Sequence, residues 1–491
     1  MRDFRPVAIA VACCVSGCVT VGPDYVAPKP TLPEKFLNAP SIAVPSAMTA
    51  AAGPSFWSRF GDPDLDALVA RAVESNNDIA VAAARVREAR AVVGEVRGGL
   101  LPQVDGEASA FHERASVEQL PGLTNSQRTV NSLTAGLDSG WEIDLFGGIR
   151  RSVEAAGAQA QASEADLDAV RLSVSCEVAR TYFQLRGLQE RLRVARASLD
   201  NQSDTLRLTT ARLKAGRGTD FDVARSQGLV ETTRSDIPAI EQQIAATAYA
   251  LAVLTAQQPA STRALLEEVK GMPRAPSLGA MPDPAALLRD RPDIRSAERS
   301  LAAATASIGV STAELFPSVT LVGAVGVNAG KGRGLGRSDS LTYSLGPSLH
   351  WNLLDFGRTR ARIAQADARA DAALASYQQS VLRALADTED ALMALDRTRL
   401  QAEALLAAAV AARNAARLAN RRYEAGATDL LDVLDAQRQL LAAEDRLSAS
   451  ETAEVSTAVS LFKAFGGHWT SDDADPARPQ ALAILPSTLR D

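Results

Sequence analysis

The chain has 491 residues, room for roughly two to four ordinary domains with ample core. It is 46% hydrophobic but only 4% aromatic, with alanine dominant, a balance that favours long, closely packed helices over sandwiches. A net charge of −6 and a pI near 5.4 give no reason to expect nucleic-acid binding, and three scattered histidines (His112, His350, His468) leave little material for a metal or His-based catalytic cluster.

Arg2 and Arg5, followed by the apolar run Val7–Val15, read as a signal segment over 1–17. Val15-Ser16-Gly17-Cys18 resembles a lipoprotein processing site, which makes Cys18 the expected lipidated first residue of the mature chain. Val19 follows, where the resemblance to bacterial sorting signals associates Asp with inner-membrane retention, so outer-membrane lipid is the expected anchor. Cys13 and Cys14 leave with the signal, which leaves Cys176 without an internal disulfide partner and reads it as a small buried hydrophobe.

Residues 18–63 are proline-rich and aperiodic, an extended tether or belt, with Phe56-Trp57 and Phe60 available to tack it down. Asp62-Pro63 reads as an N-cap with proline at the first helical position, starting one helix that ends near Gly98-Gly99. From Leu101 the period changes to two. Pro102–Phe111 is an expected strand, 112–130 a loop, and 133–145 alternates, with Leu133, Leu137, Trp141 and Ile143 opposite Thr134, Asp138 and Glu142. Arg150 then begins a proline-free helix of about 66 residues, roughly 100 Å at 1.5 Å per residue, running to Gly216. A second helix spans Asp220 to near Ala256, with Pro238 an expected kink.

The interval 258–284 is a proline-punctuated linker, after which the programme repeats over 285–466, as it ran over 64–257. Pro292-Asp293-Ile294 matches Asn77-Asp78-Ile79 (292 − 77 = 215), and Trp351 matches Trp141 (351 − 141 = 210). Phe316-Pro317 opens a strand, and 328–340 is a polar loop. Residues 341–353 give the clearest alternation, with Leu341, Tyr343, Leu345, Leu349 and Trp351 opposite Thr342, Ser344, Ser348 and His350. Arg358–Tyr423 and Asp429–Phe465 form the second helix pair, and 467–491 is a polar tail. At both helical turns an Ala-Gly pair (215–216 and 425–426) meets an N-cap, the mark of an αα-hairpin. The second turn also carries Asp432 and Asp435 at an i,i+3 spacing, on one helix face.

No apolar run reaches 18 residues outside the signal, so no transmembrane helix is expected. Four strands with one apolar and one polar face instead suit a membrane barrel, with Trp141, Tyr343 and Trp351 as interfacial aromatics. Four strands cannot close, because a spanning sheet leaves no open edge, and three chains would supply twelve. The expected fold is therefore mixed α and transmembrane β: a trimeric 12-stranded barrel continued by a long α-helical periplasmic tunnel, built from an internal tandem duplication.

Several stretches, weak singly but specific in this order, carry a family resemblance: the Cys18 site with Val21-Gly22-Pro23-Asp24-Tyr25, Phe56-Trp57 with Phe60 and Asp62-Pro63, Trp141 to Gly147, Arg291-Pro292-Asp293-Ile294, and Leu434-Asp435-Ala436-Gln437. With them the chain resembles the TolC-like outer-membrane efflux factors, in their lipoprotein (NodT/OprM-type) branch. The resemblance implies a homotrimeric, passive exit duct for small toxic compounds or drugs, docking a periplasmic adaptor and an inner-membrane transporter of the resistance-nodulation-division (RND) type. A metal-ion efflux or type I protein-secretion role is the alternative. By position Tyr423 and Asp222 match the family's gate-holding tyrosine and aspartate, and Asp432 and Asp435 its constricting carboxylates. Thr428 stands where some members carry an arginine, so their closing network is not copied whole. No nucleophile elbow, metal spacing or phosphate loop occurs, so neither an enzyme nor a cofactor is expected. The Gly-rich run at 330–336 lacks a P-loop's context. A periplasmic adaptor, also a helical-hairpin lipoprotein, fits the strands and the repeat poorly.

Overall fold

Cap chemistry, more than helix propensity, sets where the elements of this chain begin and stop. The computed structural model describes residues 20–38, 56–267, 271–273, 275, 283–330 and 337–467. Helices α1 (Pro63–Ser75) and α2 (Asn77–Gly98) are followed by strand β1 (Gln103–Arg114), the short α3 (Asn125–Arg128) and β2 (Thr129–Ile143). Next come α4 (Gly148–Lys214), α5 (Asp220–Leu254, containing Pro238) and α6 (Arg263–Glu267). The order then recurs as α7 (Ala286–Asp290), α8 (Pro292–Ala313), β3 (Ser318–Ala329), β4 (Leu341–His350), α9 (Arg358–Glu424) and α10 (Leu430–Ala464). Helices α4 and α9 have 67 residues each, and α5 and α10 have 35 each.

The expected single helix from Pro63 to Gly98 is corrected to two, divided at Asn76. Its N–H closes α1 on the Ala72 carbonyl at 2.9 Å, while its side-chain oxygen accepts from the N–H groups of Asp78 (2.8 Å) and Ile79 (3.2 Å) and opens α2. The apolar period runs through the break, but the Asn side chain offers the backbone a competing set of bonds. The same break falls at Arg291, between α7 and α8 (291 − 76 = 215). The strands also differ from expectation at their ends: β1 continues to Arg114, β2 begins at Thr129, and β4 stops at His350 rather than residue 353. The expected loop 112–130 contains α3, and β3 runs to Ala329, into the expected loop 328–340. One window of α5 is long and apolar enough to cross a membrane by length and composition, which corrects the expectation that no helix would be. That window mixes Ala, Ile and Leu with uncharged Thr and Gln.

The chain gathers into two compact units that do not follow the division into 64–257 and 285–466: each draws on both halves. The first contains the sheet, which is four-stranded, antiparallel and ordered β1-β2-β3-β4. Its register aligns Leu345 with Gly323, Gly323 with Ser139, and Ser139 with Val104. One residue over, Ser344 aligns with Ala324, Ala324 with Asp138, and Asp138 with Asp105. Facing residues in neighbouring strands share a side of the sheet. One side is thus apolar, with Val325, Tyr343 and Leu345, and the other carries Asp105, Glu107, Asp138 and Glu142. The apolar side is uncovered, with Leu345 78% and Tyr343 83% exposed. In the same unit residues 20–25 are pinned to α4 and α8. The buried Arg151 donates to the Val21 (3.1 Å) and Gly22 (3.3 Å) carbonyls and pairs with Asp24 at 2.6 Å. Tyr25 donates to Glu298. Gly22 and Gly309 meet backbone to backbone: a Cβ on Gly22 would lie 2.4 Å from Cα of Gly309.

The second unit holds a polar network in its core. Arg186, fully buried, bonds Tyr182 Oη (3.0 Å), Gln189 (2.9 Å) and Asp64 (3.1 Å), and Tyr182 donates to Asp62. Burial first, and then the bond to Asp62, push the Tyr182 phenol up from its ordinary value. Phe56 stacks on Phe462 with ring centroids 3.9 Å apart, and Phe60 meets Phe183 at 4.9 Å, which fastens the segment before α1. Cys176 is buried in this unit.

Candidate functional site

The two hairpin turns lie in the second unit and match bond for bond. In the first, Gly216 (φ +70°) bonds the Leu213 carbonyl at 2.9 Å and Arg217 N–H bonds Arg212 at 2.8 Å. In the second, Gly426 (φ +74°) bonds Tyr423 at 2.9 Å and Ala427 N–H bonds Arg422 at 2.8 Å. Both are glycine C-caps in which a left-handed residue lets the last carbonyls turn back on the chain. The helix starts beyond the two turns are built differently. Thr219 caps α5, its hydroxyl accepting from Asp222 N–H at 3.1 Å, while the Asp222 carboxylate accepts from Thr219 N–H at 3.2 Å, a capping box. Asp429 occupies the N-cap of α10 with no side-chain cap bond, and the Thr428 hydroxyl donates to Asp432.

These bonds locate the sequence-derived residues. Tyr423 is buried with Leu430, Val433 and Leu434, and Leu208, Leu229 and Ala419 pack on the cluster. Asp222 is occupied by Thr219, and the tie from the first hairpin to Tyr423 is made by Arg212 instead. The Arg212 guanidinium lies 4.0 Å from the Tyr423 ring centroid and donates to the carbonyls of Tyr423 and, at 3.2 Å, Glu424. A cation on the last carbonyls of α9 meets the negative end of the helix dipole, and the aromatic face adds a cation–π contact. Asp432 and Asp435 are exposed on α10, and Asp435 accepts from Gln439 at 2.7 Å. Gln437, buried, donates to the Thr205 hydroxyl at 2.8 Å, a second tie between the hairpins. Arg212 escaped the sequence reading, although an arginine three residues before each Ala-Gly pair (212 and 422) was the available signal.

In the sheet, the Trp141 indole donates to the Leu100 carbonyl at 3.0 Å and that of Trp351 to Leu315 at 3.1 Å. The two carbonyls are themselves 215 residues apart (315 − 100). Both tryptophans sit at the end of the sheet from which α4 and α9 leave, and Tyr343 sits towards the other end of β4. Cys18 lies outside the described residues. Among the described residues no group of three His, Cys, Asp or Glu side chains is placed to hold a metal ion.

Comparison with known proteins adds context to this geometry. The outer membrane efflux protein family model matches residues 68–257 and 284–467. The pyoverdine export outer membrane protein OpmQ of Pseudomonas aeruginosa is 34% identical over 470 residues, covering 94% of this chain and 98% of its own. Nodulation protein T of Rhizobium leguminosarum bv. viciae is 33% identical over 498 residues, covering 100% and 99%. Among solved structures the outer-membrane channel OprN superposes with a TM-score of 0.83 at 38% identity, over 92% of this chain and 99% of that one.

Proposed function

Because the chain belongs to the outer membrane efflux protein family, we propose that it is the outer-membrane exit duct of a tripartite efflux system. In this reading three copies join their sheets into a twelve-stranded barrel, and the α4/α5 and α9/α10 hairpins continue it as a periplasmic tunnel. The observation that carries it is the sheet. Among the described residues its β1 and β4 edges have no neighbouring strand, and its apolar side is uncovered. Open edges are not tolerated in a bilayer, and joining three sheets edge to edge pairs them, while the uncovered apolar side is what lipid would cover. The acidic side would then line a wet lumen and the apolar side would face lipid. The long helical hairpins arise from a tandem duplication, which the matched turns and the paired breaks at Asn76 and Arg291 support. Cys18 carries the lipid anchor, and Trp141, Trp351 and Tyr343 serve as aromatic girdles at the two membrane interfaces.

The duct performs no chemistry. A periplasmic adaptor and an RND-type transporter deliver cargo, and the hairpin tips regulate exit. Tyr423, held by Arg212, keeps the tip packed. Asp432 and Asp435, exposed and met among the described residues by the neutral Thr428 and Gln439, offer carboxylates that attract cations. Asp222 serves the gate by capping α5. The proposed cargo is small toxic molecules or drugs, in keeping with relatives named for pyoverdine export and solvent efflux. Deletion of the gene tests this: the strain should become sensitive to dyes, detergents or antibiotics, and complementation should restore resistance. Sensitivity to metal salts alone would overturn the cargo reading in favour of metal efflux. The outer-membrane protein should migrate as a trimer on unheated gels, and a monomer there would sink the barrel.

A further inference from the structure

In the first unit, helices α8 and α9 border a cavity of about 270 Å³. Ala304, Ser307 and Ser311 line it from α8, and Arg362, Gln365, Ala366 and Arg369 line it from α9. Both sets follow the three-and-four spacing of a single helix face, so two ridges meet along one cleft. The alanines make the room, and every other lining side chain is a hydrogen-bonding group. Arg362 is held at the rim by Glu314, and the Ser307 hydroxyl donates to the Ala303 carbonyl at 2.9 Å. The side chains of Ser311, Gln365 and Arg369 make no hydrogen bond or ion pair among the described residues. The acidic residues of α9 nearest to Arg369, Asp367 and Asp371, are each two positions away, about 200° round the helix and off the cleft.

Helix packing alone does not call for this lining, as the first repeat shows. Helices α2 and α8 correspond at an offset of 215, and α4 and α9 at 210 (292 − 77 and 358 − 148). Ala304 and Ala366 then match Ala89 and Ala156, so the small residues are kept. Ser307 and Ser311 match Val92 and Val96, while Arg362, Gln365 and Arg369 match Ser152, Ala155 and Gln159. Both guanidinium groups belong to the second repeat alone.

We propose that the α8–α9 cleft binds a phosphate group, with Arg362 and Arg369 on its charged oxygens and Ser311 and Gln365 donating to the others. A guanidinium fork matches two phosphate oxygens, and such charge-assisted bonds are stronger than neutral ones. The volume falls just under the roughly 300–1,000 Å³ of drug-sized pockets, so the cleft suits a small charged group rather than cargo in transit. Arg362 lies about 6 Å along α9 from its first residue, Arg358, and Arg369 about 16 Å. In the three-chain duct that stretch starts within the headgroup layer of the inner leaflet, about 5–8 Å deep. A phospholipid headgroup is therefore one source of the phosphate, and a soluble phosphate compound is the other. The lipid source rests on the duct reading, whereas the cleft does not, since both its helices belong to one chain. Once bound, the phosphate ties α8 to α9 where β3 and β4 join them.

Native mass spectrometry of the delipidated full chain in dodecyl maltoside, which carries no phosphate, tests the site. The probes are phosphatidylglycerol, glycerol 3-phosphate and, as the phosphate-free control, dioleoylglycerol. A phosphate probe should add once per chain and dioleoylglycerol should not. Arg362→Ala with Arg369→Ala should weaken that binding at least tenfold, and Gln159→Ala, at the matching place in the first repeat, should leave it unchanged. Binding of phosphatidylglycerol without glycerol 3-phosphate supports the site with lipid as its source, and comparable binding of both supports it with a soluble source. Equal binding by wild type and the double variant, or no addition specific to phosphate, overturns it. Glu314→Gln keeps both arginines and frees Arg362, so it should tighten binding several-fold even where the double variant fails to fold; unchanged affinity there overturns the site as well. A protein that binds the probe but runs only as a monomer on unheated gels keeps the site and overturns the duct.

Discussion

Placing a charge at Leu345 tests the assigned faces of the sheet. The side chain is 78% exposed, so Leu345→Arg displaces little protein and its cost comes mainly from the surroundings. Strand β4 has 10 residues. At about 3.4 Å per residue and a tilt of about 40° it rises ~26 Å, close to the apolar band of a membrane barrel, and Leu345 falls near its middle. An arginine at the lipid-facing midplane costs about 2–4 kcal/mol, hence about 6–12 kcal/mol for three copies. Ser344→Arg is the control one residue away. It aligns through Ala324 with Asp138 and Asp105, on the side assigned to the wet lumen, where an added cation is tolerated and drawn towards those carboxylates. The assay is the fraction of heat-dissociable trimer recovered from outer membranes for each variant. Leu345→Arg should reduce it strongly and Ser344→Arg little. Equal losses, or a greater loss with Ser344→Arg, would refute the assignment of faces.

Other expectations come from individual groups. Burial pushes the Cys176 thiol up to about 12, so it should resist maleimide in the folded protein at pH 8 and react on denaturation; labelling of the native form would contradict its placement. Asp432→Ala with Asp435→Ala should weaken cation selectivity and block by multivalent cations in single-channel recordings, and unchanged selectivity would reduce both residues to helix-end charges. Arg151→Ala removes charge-assisted bonds to residues 21–24, a local loss of about 2 kcal/mol, which hydrogen exchange should register as ~30-fold faster exchange there. Burial opposes ionisation of Glu298, but bonds from Arg299 and Tyr25 outweigh it and hold the carboxyl below its usual range. Its contribution is therefore present at neutral pH and lost as pH falls through the lowered folded value, so protection at Tyr25 should decline only as pH drops below the ordinary glutamate range, once intrinsic rates are corrected.

The features legible in the sequence were those that short-range chemistry dictates. Residues 341–350 of β4 alternate between an apolar and a polar side of the sheet, and a period of two survives in any single sequence. The Ala-Gly turns were legible because a left-handed C-cap needs glycine. The Asn76 break was not, since the apolar period passes through it and only the bonds to Ala72, Asp78 and Ile79 show the helix ending. At the tip, Tyr423 and the aspartates could be picked out from local spacing and family resemblance. Arg212 was not, because the arginine before each Ala-Gly pair is visible in the sequence but the carbonyl it meets lies more than 200 residues away. The division into units was likewise hidden: repeats run along the chain, but packing joins segments from both halves.

The pinned residues 20–25 have a consequence for membrane depth. Val21 N–H bonds the Phe146 carbonyl at 3.1 Å, and Thr20 packs on the backbone of Gly147, just past the end of β2. Only Val19 separates Thr20 from Cys18, a leash of about 7 Å at full stretch. An acyl anchor on so short a leash would act as a depth gauge, fixing how far the sheet can sink relative to the inner leaflet. Lengthening the leash by a few residues should leave the fold intact while loosening that vertical setting.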